Sequence, residues 1–367
     1  MKLRIGLVGL GDDWQTRHRP ALRMLHDRFD VRAVYGTVAK LVESCAADFQ
    51  ADPVDGYRAL VSRADVEAVM ILERSWLAWQ PLLAACETGK AIYWACDLDF
   101  DPTRDAEVRQ TIERSGVAFM AEFPRRFAPA TLRLKELIAT RLGAPRLIFC
   151  HSRLQNRAAP RHPTPGHDHL QRNLVEAIDW CRYVVGRDPD SVTGTGAAPA
   201  PGADYRSLNL HFAEPVTTPA NGSAAPSPVV CQISCGSYIS ETWPEAVGFR
   251  PPSGMQICCQ RGVAFIDLPN TLVWFDEAGR HLESLENETP VGELLLGRFH
   301  RAVTSLVRKL DDLDDAFGAA AILTAAEQSQ VEGRRIDLKR TPPDAGALVA
   351  SLRKRKGGAG HFGRGTA

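Results

Sequence analysis

Up to residue 123 the chain alternates short, wholly apolar runs with segments of helical period. LRIGLVGL, VRAVYG, VEAVMIL, AIYW and VAFMAEF are the apolar runs. RPALRMLHDRF, VAKLVESCAADF, WQPLLAACETG and PTRDAEVRQTIERSG lie between them. An apolar run with no alternation is a strand buried on both faces, and strands joined by helices run parallel. The pattern therefore predicts a doubly wound parallel sheet over residues 1–122. Such sheets take their ligands at the carboxyl ends of the strands. The end of AIYW, where Ala95, Cys96 and Asp97 follow, is then a place for chemistry.

Beyond FPRRFAPATLRLKELIATRLG the rhythm changes. PRLIFCHSRL, PVVCQISCGSYIS, GMQICCQ, GVAFIDL and TLVWFD are separated by turn residues, with HLQRNLVEAIDWCRYVVG as a helix among them. This predicts an α+β domain over 123–338, built on an open, mainly antiparallel sheet. Two Ala/Pro-rich runs, GAAPAPGAD and AEPVTTPANGSAAPSP, are expected as mobile loops. ELLLGRFHRAVTSLVRKL and DDAFGAAAILTAAEQSQVEG are helical, and residues 339–367 form a basic, glycine-rich tail expected to be disordered.

Charge excludes several partners. The chain has 44 Lys+Arg against 44 Asp+Glu, so no net field draws it to nucleic acid or to an acidic membrane. The opening MKLRIGLVGLG runs into a glycine turn without signal-peptide features, and no apolar run is long enough to span a bilayer. The reading is of a soluble, cytoplasmic protein. Nine cysteines follow no metal or disulfide spacing and are expected reduced, the pairs Cys231/Cys235 and Cys258/Cys259 as core residues.

The first strand ends in Gly9-Leu10-Gly11-Asp12-Asp13-Trp14. Two glycines after a strand and before a helix suit a dinucleotide turn, but Trp14 stands where a third would come. With His18-Arg19-Pro20-Ala21-Leu22, ADVEAVMI, ACETGKAIYW, FPRRFAPATLRLKELI, IDWCRYVVG and GRRIDL, the layout over 3–338 resembles the Gfo/Idh/MocA family, which includes glucose–fructose oxidoreductase and inositol dehydrogenase. The resemblance implies a Rossmann domain, an open sheet that mediates homo-oligomerisation, and last helices packed back near the domain junction. It also implies NAD(P)-dependent oxidation or reduction of a sugar or polyol.

Set against that family, the expected catalytic positions have changed. Cys96 and Asp97 fall where members carry Lys and Pro, and Arg172, Glu176 and Asp179 fall on the helix motif Asp-x3-His-x2-Asp. Spacings of four and three put these last three on one helix face, so Arg172 and Glu176 either pair on the surface or act in the site. Gly9, Gly11, Asp12, Asp13, Thr37 and Arg74 are the cofactor-side positions. The second strand ends in Tyr35-Gly36-Thr37 with no acid for a ribose hydroxyl, which slightly favours NADP over NAD, or no dinucleotide at all. Arg125, Arg126, His167, His169 and Trp180 are candidate substrate contacts, the two arginines equally suited to a junction role.

Three function classes remain open on these residues. One is an NAD(P)-dependent oxidoreductase with Glu176 or Asp97 as base and Cys96 as donor or apolar wall. Another is a non-catalytic ligand-binding or scaffold protein on the dehydrogenase fold, its cleft filled by Trp14, Trp76 or Tyr35. The third is a metal-dependent lyase or hydrolase using His162, His167, Asp168 and His169, with His151 upstream; their spacing matches no defined motif, so no metal ligand is assigned.

Overall fold

A computed structural model describes residues 2–73, 77–96, 102–155, 169–198, 203–213, 228–239, 245, 254–305 and 311–338. The first domain is built on strands β1 (Leu3–Val8), β2 (Phe29–Tyr35), β3 (Asp52–Pro53), β4 (Ala68–Ile71), β5 (Ala91–Trp94) and β6 (Phe119–Ala121). Helices α1 (Arg19–Met24), α2 (Ala39–Phe49), α3 (Tyr57–Val61), α4 (Gln80–Glu87) and α5 (Pro102–Ser115) connect them. All neighbours pair in parallel, in the order β3-β2-β1-β4-β5-β6. That is the doubly wound order, which reverses direction between β1 and β4 and opens a crevice there.

Every residue of β4, β5 and β6 is buried, as the unbroken apolar runs require. The short β3 and α3 are elements that the sequence pattern did not announce. Two hydrophobic clusters lie on the two sides of this sheet. One contains Leu3, Ile5 and Leu7 of β1; the other contains Val8, Val69 and Ile71.

The second domain carries a nine-stranded sheet in the order β14-β13-β12-β11-β7-β10-β9-β8-β15. Its strands are β7 (Pro145–Gln155), β8 (Ser191–Ala197), β9 (Asp204–Phe212), β10 (Val229–Ile239), β11 (Met255–Cys259), β12 (Val263–Asp267), β13 (Thr271–Asp276), β14 (Gly279–Ser284) and β15 (Ile336–Asp337). All pairings are antiparallel except β7 with β10, which run parallel. Strands β8, β9 and β14 lie outside the runs read as strands, and GAAPAPGAD, read as a loop, begins in β8 and ends in β9. Most of AEPVTTPANGSAAPSP and all of the basic tail lie outside the described residues.

Helices α6 (Pro129–Leu137), α7 (His169–Val185), α8 (Val291–Thr304) and α9 (Asp311–Glu332) complete the chain. Helix α7 buries Leu174, Ala177, Ile178 and Cys181 against β7 and β10. Helix α8 packs back on the first domain, where Leu295, Leu296 and Phe299 join the cluster of β1, and Phe299 meets Tyr93 edge-on at 5.3 Å. Each such buried side chain contributes about 1.5–3 kcal/mol, so the two domains share a core at the junction. The far face of the large sheet stays open. Phe149, Gln256, Phe265, Val273 and Leu282 stand there in one row across five strands.

None of the nine cysteines is in a disulfide; Cys231 and Cys235 are buried, Cys258 and Cys259 half-buried. No helix among the described residues is long and apolar enough to cross a membrane.

Candidate active site

The glycine turn lies against the end of β4. Gly9 has φ +76°, and a Cβ there would sit 2.4 Å from the Cβ of Glu73. At Gly11 a Cβ would come within 2.4 Å of the Leu72 carbonyl oxygen. Glycine is thus required twice by close packing, and the turn borders the β1/β4 crevice as a dinucleotide site demands. Trp14, in place of a third glycine, is buried beside Phe49 with ring centroids 6.0 Å apart. From Trp14 to His18 the chain makes one π-helical turn before α1 begins.

A cleft opens between the carboxyl ends of β5 and β6, helix α7 and the start of α9. Trp94, Cys96, Glu122, Arg172, Glu176 and Ala316 are among its lining residues. Cys96 is half-buried and donates to the Ile71 carbonyl at 3.3 Å. An active enzyme is expected to gather Glu176, Asp179 and Cys96 or Asp97 at one place; Glu176 and Cys96 both line this cleft, and Asp179 does not. Trp14 and Tyr35 do not fill this cleft: Trp14 belongs to the core and Tyr35 packs beside Tyr57. Asp97, Arg74 and Trp76 lie outside the described residues, as do His162, His167 and Asp168.

Alternating charges tie the two domains together across the cleft. Asp13 accepts from Arg17 at 3.1 Å and from Arg172 at 3.0 Å. Arg172 also donates to Glu176 at 3.2 Å, and Glu176 accepts from Arg125 at 3.0 Å. Arg125 continues to the Asn173 side chain at 2.8 Å. The i,i+4 pair of Arg172 and Glu176 is thus both a helix-face pair and part of the cleft wall. Asp12 and Thr37 are exposed beside the turn and just past β2. His169 is exposed at the start of α7, where its carbonyl accepts from Asn173.

Glu122 is a site residue the sequence pattern did not single out. It follows β6 directly, its side chain is 2% exposed, and it gathers three partners. His18 Nε2 and the Tyr93 hydroxyl each lie 2.6 Å from Oε2, and Arg17 pairs with Oε1. Burial works to raise this carboxyl, but His18, Arg17 and Tyr93 outweigh it and hold Glu122 well below the usual carboxylate range. Burial and the ionised Glu122 push the Tyr93 hydroxyl well up. The available signal was an acid at the carboxyl end of a parallel strand; the His-Arg-Pro segment it meets follows β1, with β4 and β5 between the two strands. Only the three-dimensional pairing connects them.

Asp179, Arg126 and Trp180 turn out to be core residues rather than cleft residues. Asp179 is 1% exposed and held by both arms of Arg126, whose third nitrogen reaches Asp315 at 2.6 Å. Burial raises Asp179 to about 6 against the opposing pull of Arg126. Trp180 is fully buried and donates to Thr131 at 2.9 Å. An i,i+3 step from Glu176 carries α7 from cleft wall to core, which its face alone does not disclose. Among the described residues, no three His, Cys, Asp or Glu side chains are placed to hold a metal ion.

No family model matches the chain. It is similar to an uncharacterized oxidoreductase, YrbE, of Bacillus subtilis, 24% identical over 200 residues that cover 53% of this chain and 57% of that protein. Inositol 2-dehydrogenase of Paracoccus denitrificans is 26% identical over 199 residues, covering 51% of this chain and 56% of that one. The chain thus spans about half the length of the curated relatives it matches. Among solved structures, levoglucosan dehydrogenase in complex with NADH and levoglucosan superposes with a TM-score of 0.72 at 15% identity, over 92% of this chain and all of that one (100%). At that identity the likeness is one of fold.

Proposed function

We propose that this chain, which has the two-domain fold of the Gfo/Idh/MocA-type oxidoreductases, oxidises or reduces a sugar, polyol or related polyhydroxy molecule with a nicotinamide dinucleotide. The observation that carries the reading is the cleft itself. It places the Glu176 carboxylate and the Cys96 thiol together at the ends of β5 and β6, one crevice away from the glycine turn. Structural likeness to a dehydrogenase solved with NADH supports the same reading. NADP is the favoured form, because Gly36 and Thr37 offer no carboxylate to a ribose hydroxyl.

A nicotinamide bound there would give or take the hydride. The residues of this chain handle the proton. Glu176, held from both sides by Arg125 and Arg172, accepts the proton of a substrate hydroxyl. Cys96, with its hydrogen spent on the Ile71 carbonyl, presents sulfur as a small apolar wall and cannot replace the ammonium of the family's lysine. Asp97 remains a second base by position in the sequence. The open row on the large sheet, apolar except for Gln256, fits a second copy of this chain, giving a homo-oligomer.

Screening polyols and aldoses with NADP⁺ and NAD⁺, with nicotinamide absorbance as the signal, tests the reading. Turnover that falls at least a hundredfold in Glu176→Gln, with nucleotide affinity retained, supports it. Absence of binding by all four nicotinamide nucleotides at millimolar concentration overturns it. Tight binding without turnover favours the second reading, a ligand-binding protein on this fold. The observation behind that alternative is that Cys96 stands where the family's lysine would be, while Glu176 is already engaged by two arginines.

A further inference from the structure

The pair of Asp13 and Arg172 ties the glycine turn to helix α7. One carboxylate oxygen, Oδ2 of Asp13, takes both Arg172 at 3.0 Å and Arg17 at 3.1 Å. A second acid, Asp12, adjoins it. Two acids at a dinucleotide turn oppose the arriving pyrophosphate, so the turn works only where nearby cations outweigh them. The N-terminus of the continuous helical stretch that runs from the π turn, Trp14–His18, through α1 to Met24 supplies a partial positive charge there. Side-chain cations supply the whole charges that offset two carboxylates.

We propose that Asp13 occupies Arg172 as an internal stand-in for a pyrophosphate, and that dinucleotide binding moves the Arg172 guanidinium from Asp13 to the pyrophosphate. The inference rests on the oxidoreductase reading above and deepens it by assigning a cofactor-binding role to a residue of α7. Arg172 is suited to the exchange because its side chain is 31% exposed and lines the cleft. One guanidinium nitrogen of Arg172 reaches Asp13 while Nε stays on Glu176, so that nitrogen can pass from carboxylate to phosphate without releasing Glu176. Arg17 stays on Asp13 and Glu122, so the displaced carboxylate keeps a partner. The pair thus competes with the ligand and also closes the two domains over the crevice in its absence.

The test is calorimetric titration of the full chain with NADPH, NADH, ADP-ribose and AMP. ADP-ribose keeps the pyrophosphate and lacks nicotinamide; AMP lacks the pyrophosphate. Removing the competing carboxylate in Asp13→Asn is expected to tighten NADPH and ADP-ribose about tenfold, and Arg172→Gln to weaken them about tenfold. AMP binding stays unchanged in both. A tie that served only to hold the domains would move both variants in the same direction. Asp13→Asn binding no tighter than wild type, or Arg172→Gln binding as tightly as wild type, overturns the proposal and leaves the oxidoreductase reading standing. If neither wild type nor Asp13→Asn binds any pyrophosphate ligand at millimolar concentration, both fall. Asp13→Ser serves in place of Asp13→Asn where that variant folds poorly, judged by its thermal transition.

Discussion

Arg126 and Asp179 meet fork to fork inside the second domain, Nε 2.7 Å from Oδ2 with a second guanidinium nitrogen on Oδ1. The pair sits three residues along α7 from Glu176, and Asp315 of α9 closes it from the other side. Arg126 lies just after β6, so the pair fixes where α7 stands relative to the first domain. Arg126→Met strands a buried carboxylate and is expected to cost about 3–5 kcal/mol in urea unfolding. Arg126→Met with Asp179→Leu, which removes both charges, should recover much of that loss. Equal destabilisation by the single and double variants would show that the pair carries none of the effect.

Glu122 gives the molecule a specific acid response. Its carboxyl is held below the ordinary range in the folded chain, so the folded state binds a proton less readily than the unfolded one. The stability it contributes is therefore fully present above about pH 4.3, the ordinary glutamate value, and is lost as pH falls from there towards the lowered folded value. Glu122→Gln should be less stable than wild type at neutral pH by about 3 kcal/mol. The gap should narrow as the solution is acidified below that point. Urea midpoints for both proteins across the acid range provide the check, and a constant gap would contradict the assignment.

The open face of the large sheet makes a prediction about assembly. Phe149 is 37% exposed and Leu282 66%, on the row that runs from β7 to β14. Phe149→Glu places a charge at the β7 end of that row. Sedimentation should show a smaller species than wild type, with the thermal transition of the first domain preserved. An unchanged sedimentation coefficient would remove this face as the interface.

The doubly wound sheet was legible because its signal is local: β4, β5 and β6 are buried on both faces, and each reads as an unbroken apolar run. Strands β8 and β14 escaped for the opposite reason. SVTGTGA and GRHLES carry glycines and polar residues, and hold their places at or near sheet edges through neighbours distant in sequence. The site divides in the same way. Arg172 and Glu176 could be placed on one face from their spacing, whereas Glu122 and its three partners are assembled from β5, β6 and the turn after β1. Asp179 and Trp180 were drawn toward the cleft by family position, and burial moved them to the core. Residue type fixes what a side chain can do; packing decides whether it faces a ligand.

The parallel pairing of β7 with β10 orders events during synthesis. Leu147 sits beside Val230 in that register, so the centre of the large sheet cannot form until the ribosome has delivered β10. The βα units before β7 close through short-range contacts and have no such wait. Helix α7 is made between the two partners and must await β10 for part of the surface it packs on. A nascent chain released before residue 239 would carry β1–β6 without Leu295, Leu296 and Phe299 of α8, and with the wall bearing Arg172 and Glu176 unanchored. In this molecule the glycine turn is encoded early, and the cleft wall opposite it is secured only after β10 is made.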